Sequence, residues 1–233
     1  MDLTISTICF LRLVTALLSL TEAIRNRPDV EQSSVGVCWT VAFFAFLISI
    51  ALESKQPKLA SKLSFNIFFG YMLGVCVLFV GILFFVRTPR TSDGIEGLPA
   101  HNIWTGFWCA GALITLVAQM ALLVQTKRIG FPLMLTVSYA SGAMGSLLFS
   151  MAGILSATEF IDEDIFYFTA MYDWYMNSSN VWISASVFYI LHAITLYFGL
   201  TAANDETIED DTSGSSTADD DQPESALKNE EKA

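Results

Sequence analysis

Charged side chains are scarce in this chain: 15% of its 233 residues are Asp, Glu, Lys or Arg, whereas 53% are hydrophobic. With a mean hydropathy of +0.52, this balance differs from that of a soluble globular domain. Basic residues are the rarer kind, 12 against 23 acidic ones, and they form no extended cluster. Because nucleic-acid binding requires a basic surface, that class of partner is excluded. The composition predicts a polytopic membrane protein whose partners are membrane lipids.

Cysteine and histidine are also few, with four and two residues. The cysteines, all of which fall within apolar runs, are Cys9, Cys38, Cys76 and Cys109. No Cys-x-x-Cys spacing occurs and no disulfide framework can form in the loops, so we expect buried thiols. Two histidines are too few to complete a metal-binding cluster, and we expect neither a metal nor a cofactor.

Long apolar runs take the place of the missing charges. From Ile103 to Val124 the chain carries no formal charge, and these 22 residues would rise about 33 Å as a helix. That length crosses the hydrocarbon core of a bilayer, which is about 30 Å thick. The predicted fold is an all-α transmembrane bundle over residues 1–203. Its six spans are residues 3–20, 35–52, 65–86, 103–124, 132–155 and 181–202.

The first run permits two interpretations. Ala23 resembles the small residue of a signal-peptidase site, but Asp2 is the only charged side chain before the run. A signal peptide carries basic residues there, so a retained span is favoured. Arg12, near the middle of the run, would cost about 2.5–3.5 kcal/mol in a bilayer unless it pairs or reaches water. Between a functional polar contact and a snorkelling side chain in a short first helix, snorkelling is the favoured interpretation.

Three other polar residues are candidates for a functional role within or beside the spans. His192 lies near the middle of the last span, Gln119 lies in the fourth, and His101 lies just before the fourth. For His192 we expect a hydrogen bond between helices, with Gln119 or Arg12 as the partner, since no second ionisable group accompanies it in its span.

Small residues recur at spacings typical of close helix packing. Gly70 and Gly74 form a Gly-x-x-x-Gly pair in the third span, and Gly142 and Gly145 lie in a small-residue stretch of the fifth. Such residues let two helices approach closely in lipid, so packing is the expected role of all four glycines. A pore lined by serines of the fifth span is the less favoured alternative.

Acidic residues concentrate at the end of the chain. Residues 204–233 contain eleven Asp or Glu and two Lys, and so hold −9 of the formal net charge of −11. Because this segment has almost no hydrophobic residues, it is predicted to be a disordered tail that offers a surface to protein partners. The candidate phosphorylation sites, each followed three positions later by an acidic residue, are Thr207, Ser216 and Thr217.

The orientation of the bundle follows from its loops. With six spans both termini share a side, and a cytoplasmic assignment puts five basic loop residues inside against four outside. The five are Lys55, Lys58, Lys62, Lys127 and Arg128. The sequon at Asn177 then faces outward, where glycosylation takes place. We therefore expect cytoplasmic termini.

Three parts of the chain form a pattern found in a known family. They are the segment from Lys62 to Ile67 that leads into the Gly-rich third span, His101 with the residues around Gly111 in the fourth span, and the Asp173-Trp174 pair. In these parts the chain resembles the Frag/DRAM group of membrane proteins, which includes damage-regulated autophagy modulators and GPI-remodelling relatives. The resemblance implies a non-enzymatic regulator of autophagy, lysosomal function or membrane lipid organisation, in a lysosomal, endosomal or plasma membrane.

Two alternatives remain open. The segment from Ile103 to Trp108 is similar to the Trp-x-Gly motif of the membrane-spanning four-domain family of the B-cell antigen type, which implies a channel or receptor-associated subunit or a scaffold. A lipid-modifying or GPI-remodelling enzyme would need a base beside an acid, and His101 with Asp93, Glu96 or Asp173 offers the one such constellation. The non-enzymatic interpretation is favoured.

Overall fold

The computed structural model describes residues 2–25, 35–87, 98–158 and 178–213, and within these ranges the chain forms helices and no strand. Seven helices follow one another, and six of them are long. They are α1 Leu3–Arg25, α2 Val35–Glu53, α3 Pro57–Lys62, α4 Phe65–Arg87, α5 Leu98–Ile129, α6 Leu133–Thr158 and α7 Ser178–Ser213. The all-α prediction is confirmed.

Four of these helices are long and apolar enough to cross a bilayer. Their apolar parts are Leu3–Ile24, Ile103–Ile129, Leu133–Leu155 and Ser179–Asp205, with 22 to 27 residues each. Shorter apolar stretches of 10 to 17 residues, Cys38–Glu53 and Phe65–Gly81, lie in α2 and α4. The four helices that could cross a bilayer identify the chain as a helical membrane protein.

The six long helices form a closed ring. Each packs against the next in chain order, α1 on α2, α2 on α4, and so on to α6 on α7, and α7 packs against α1. Neighbours run antiparallel, as the paired contacts Thr15–Ala42 and Arg12–Glu53 between α1 and α2 illustrate. One end of the ring therefore carries the connections α2–α4 and α5–α6.

The two connections at this end touch each other. The backbone N–H of Ser64, just before α4, donates to Gln125 Oε1 of α5 at 3.3 Å. The ammonium of Lys62 lies 5.5 Å from the ring of Phe131, between α5 and α6. Gly130, with φ of +81°, ends α5 in the left-handed conformation that glycine adopts without strain.

Glycines allow a close approach between α4 and α5. A Cβ at Gly74 would lie 2.9 Å from the backbone nitrogen of Thr115, and one at Gly111 would lie 2.6 Å from that of Leu78. Among the other glycines of interest, Gly142 abuts the Gln119 side chain and Gly145 abuts Tyr189. A Cβ at Gly70 would meet nothing within 4 Å, so Gly70 lies outside this close contact.

The outside of the ring is apolar. Large hydrophobic side chains such as Phe10, Val117, Leu133 and Phe198 are more than half exposed there. An apolar exterior of this kind suits contact with lipid chains. The expectation of four buried thiols is wrong for Cys76, which is exposed on this surface, and no disulfide joins the four cysteines.

Helix α7 continues to Ser213, so the tail predicted to be disordered from residue 204 begins with helix. Once a helix exists, each added residue forms a hydrogen bond without the cost of a new nucleus, which favours this extension. Residues 214–233, with Ser216 and Thr217, lie outside the described residues. The same holds for the sequon at Asn177.

We expect Gly111→Ala to destabilise the bundle by about 1–3 kcal/mol, because the new methyl group would overlap the α4 backbone. Gly106→Ala on the same helix is the matched control, since a Cβ there meets nothing within 4 Å. Thermal unfolding of the purified protein in detergent, followed by size-exclusion chromatography, measures both. Equal melting temperatures for the two variants would contradict the close approach.

Candidate functional site

An ion pair lies inside the ring. Nη2 of Arg12 in α1 lies 2.5 Å from Oε2 of Glu53, the last residue of α2, and both side chains are buried. The guanidinium also lies over the ring of Phe46, 4.5 Å from its centroid. In an apolar interior neither charge is tolerable alone, so each residue compensates the other.

Two tyrosines add hydrogen bonds to this pair. Arg12 Nη1 donates to the hydroxyl of Tyr71 in α4 at 2.7 Å. The hydroxyl of Tyr139 in α6 donates to Glu53 Oε1 at 2.5 Å. Hydrogen bonds to charged groups are about twice as strong as those between neutral groups, so both contacts tie further helices to the ion pair.

The network extends to the two remaining helices. Gln119 Nε2 of α5 donates to the Tyr71 hydroxyl, and Gln119 Oε1 accepts from the Ser146 hydroxyl of α6 at 3.1 Å. Ser146 in turn lies 3.0 Å from the hydroxyl of Tyr189 in α7. One connected network, the polar network, therefore joins all six long helices.

The polar network corrects the interpretation of Arg12. Snorkelling is wrong, because the guanidinium is buried and paired with Glu53 instead of reaching water. Glu53, which directly follows the second predicted span, is the last residue of α2 and fully buried. A lone arginine inside one span and a lone acid at the edge of the next were the sequence signal for this pair.

His192 of α7 forms a separate polar contact. Its Nδ1 lies 2.8 Å from the backbone oxygen of Ser138 in α6 and 2.8 Å from the Ser138 hydroxyl. That hydroxyl donates to the backbone oxygen of His192 at 3.0 Å. The structure thus gives His192 a hydrogen bond between helices, with Ser138 instead of Gln119 or Arg12 as partner.

A cavity of about 100 Å³ lies along the axis of the ring next to the polar network. All six long helices contribute to its wall. Its deep end contains Arg12, Phe46 and His192, and its outer end contains Glu22 and Trp182. Ten residues of α1 separate Arg12 from Glu22, so the cavity extends about 15 Å along the helix axes.

Aromatic rings form the outer wall of the cavity. The rings of Trp39 and Trp182 are stacked with centroids 5.0 Å apart, and Trp108 lies 5.2 Å from Trp182 and 5.0 Å from Phe149. Trp104 is stacked on Trp108 at 5.1 Å. Four of the five tryptophans of the chain thus gather in one cluster, in which Trp108 is buried.

Other predicted site residues cannot be assigned to this cavity. His101 lies in the first part of α5, and its side chain, like those of Asp93, Glu96 and Asp173, lies outside the part of the chain whose side chains are described. Thr207 lies in the final part of α7, with its side chain also outside it. Among the described residues, no three His, Cys, Asp or Glu side chains gather into a metal site.

Chemically, the arrangement is a cavity with aromatic walls, a polar base and one carboxyl group, that of Glu22, at its outer end. The described wall offers aromatic faces for an apolar body, and its base offers few hydrogen-bonding groups, which is the usual composition of a small-molecule site. No family model, curated protein or solved structure matches the chain. The site and the apolar exterior define a helical membrane protein with an internal cavity.

We expect Arg12→Met and Glu53→Gln each to destabilise the bundle by about 3–5 kcal/mol, because each leaves a buried partner uncompensated. The double variant should lose clearly less stability than the sum of the losses of the two single variants. Lys55→Gln, at an exposed position beside Glu53, is the control and should change stability by less than about 0.5 kcal/mol. Unfolding in detergent measures all four variants, and additive losses would show that the pair contributes no mutual stabilisation.

Proposed function

We propose that this chain is a six-span integral membrane protein that holds a lipid-like amphiphile in its central cavity and acts without enzymatic chemistry in membrane lipid organisation. The observation that carries the proposal is the cavity itself. It is enclosed by all six long helices and walled by aromatic rings, and it ends on a polar base. A molecule with an apolar body and a polar head matches that arrangement.

The packing in the inner half of the ring, between Arg12 and the amino terminus of α1, is inconsistent with an open pore. Beyond Arg12 toward the amino terminus of α1, the core is filled by buried apolar side chains that include Ile8, Leu122, Leu135 and Leu196. The polar network adds cross-links between helices at the same level. A binding site closed at its deep end is therefore favoured over the channel subunit that the four-domain resemblance implies.

The contacts at one end of the ring support the proposal of six spans. The α2–α4 connection touches the α5–α6 connection through Ser64 and Gln125, and through Lys62 and Phe131. If α2 and α4 did not cross the bilayer, these two connections would lie on opposite sides of it. We propose that both connections and both termini are cytoplasmic, as their basic residues favour.

The wider role is also a proposal. Only the DRAM-like resemblance supports a role in autophagy and a lysosomal or endosomal location. The cavity supports a role in lipid organisation. A GPI-remodelling activity would depend on His101 and its acidic neighbours, whose side chains lie outside the described region. Lipid binding without catalysis is the function that the described geometry favours.

We expect Lys62→Cys and Arg128→Cys to react with an impermeant maleimide from the same side of the membrane, in a background with the four native cysteines replaced by alanine. Four spans without α2 and α4 would put the two positions on opposite sides. The measurement is labelling of intact cells against cells with a permeabilised plasma membrane. An epitope tag after Ala233 reports the side of the carboxyl terminus in the same preparation.

We expect Ala42→Phe to abolish most ligand binding, because Ala42 is buried on the cavity wall and the added ring would fill the space. An alkyl diazirine without a polar head is the probe, and mass spectrometry locates the labelled residues. Labelling of Phe46 and Trp182 should fall, while labelling of the lipid-facing Val117 stays constant.

Ala140→Phe, at an exposed position of α6, is the matched control for Ala42→Phe. It should leave labelling of the cavity unchanged, since it adds the same ring on the outer surface. If the probe labels only outward-facing residues of the unaltered protein, the cavity holds no amphiphile and the proposed function is wrong.

A further inference from the structure

Two buried polar atoms at the deep end of the cavity lack a hydrogen-bond partner among the described residues. They are Nε of Arg12 and Nε2 of His192, and both residues line the cavity. A further such atom, Nε1 of Trp108, belongs to the aromatic wall. Buried polar groups without a partner cost about 1–3 kcal/mol each, so the two at the deep end indicate that something in the cavity pairs with them.

The two residues lie at the same depth on neighbouring helices. Ser19 of α1 lies 3.0 Å from Ser186 of α7, which fixes the register between these antiparallel helices. Arg12 comes seven residues before Ser19, and His192 comes six residues after Ser186. At about 1.5 Å per residue, both side chains start roughly 10 Å deeper along the helix axes than the serine pair.

The contacts of His192 determine what its free nitrogen offers. Nδ1 lies 2.8 Å from the backbone oxygen of Ser138, which can only accept, so Nδ1 carries a hydrogen and donates it. A second positive charge near Arg12 in this apolar interior would be costly, so the ring is neutral. Nε2 of a neutral ring with a hydrogen on Nδ1 is an acceptor.

The complementary group is therefore both a donor and an acceptor. Nε–H of Arg12 requires an acceptor, whereas Nε2 of His192 requires a donor. A carbonyl or ether oxygen can meet only the first need, and an ammonium only the second. A carboxylate or phosphate would add a charge that has no counterpart, because Arg12 is already paired with Glu53 at 2.5 Å.

We propose that the cavity binds a lipid whose polar head is a single hydroxyl group, seated at the deep end against His192 and Arg12. This inference rests on the proposed function, since it names the chemical class of the amphiphile in the same cavity. The hydroxyl donates to Nε2 of His192 and accepts from Nε–H of Arg12, and the apolar body lies along the aromatic wall. Fatty alcohols and sterols belong to this class.

The test is a competition experiment on the purified full chain in detergent. The alkyl diazirine labels the cavity, and 1-dodecanol, 1-methoxydodecane and dodecane compete with it. The methyl ether keeps the acceptor oxygen and loses the donor, and the alkane loses both. We expect dodecanol to compete about fivefold better than the ether, the effect of losing one hydrogen bond, and better still than dodecane.

His192→Phe removes the acceptor and keeps a flat ring in its place. In this variant the alcohol and the ether should compete equally, whereas Phe149→Leu, which alters the wall, should weaken all three competitors together and preserve their order. The competitor series on the unaltered chain gives a result even where His192→Phe fails to elute as a single species.

Equal competition by the alcohol, the ether and the alkane, with the cavity still labelled, would overturn the hydroxyl assignment and leave the proposed function intact. It would mean that water satisfies the two atoms. An absence of cavity labelling by the probe would instead overturn the proposed function. Retention of the alcohol preference in a folded His192→Phe protein would exclude His192 as the partner of the hydroxyl.

Discussion

The ion pair between Arg12 and Glu53 is the constraint on which the rest of the bundle depends. Inside a membrane neither charge can be left without a counterpart, and the remaining donors and acceptors of both groups must also be satisfied. Tyr71 and Tyr139 supply one contact each from α4 and α6, and the Tyr71 hydroxyl also accepts from Gln119 of α5. The need to satisfy one buried arginine thus draws in side chains from most of the ring and sets the register between helices that lie far apart in sequence.

The ring geometry explains why the polar network and the cavity occur together. Neighbouring helices pack about 8–10 Å apart, so a closed ring of six leaves about the width of one helix along its axis. In the inner half, long polar side chains and buried leucines fill that axis. In the outer half, Ala16 and Ala42 are too small to reach it, and the aromatic rings pack against one another. The cavity is the part of the axis that side chains leave open.

The sequence predicted the helices well and the site poorly, for a physical reason. Hydropathy is a local property, so the apolar runs located the six long helices to within a few residues at most ends. Partners in the polar network are separated by 41 residues for Arg12 and Glu53 and by 86 for Tyr139 and Glu53. The periodicity of the sequence does not predict which of these distant residues pair. A tyrosine in an apolar run also looks like one more hydrophobic residue, because its single polar atom hardly alters the hydropathy.

Arg12 belongs both to the polar network and to the wall of the cavity, which links ligand binding to the stability of the bundle. Two of its nitrogens hold the polar network together, and its third lies at the deep end of the cavity. A ligand that binds only the assembled ring stabilises it by RT ln(1 + [L]/Kd), about 2.7 kcal/mol at a hundredfold excess over Kd. Because the ligand would complete the hydrogen bonding of the residue that orders the ring, occupancy of the cavity and integrity of the polar network should rise and fall together. If the cavity holds the proposed lipid, its binding is coupled in this way to the packing of the helices.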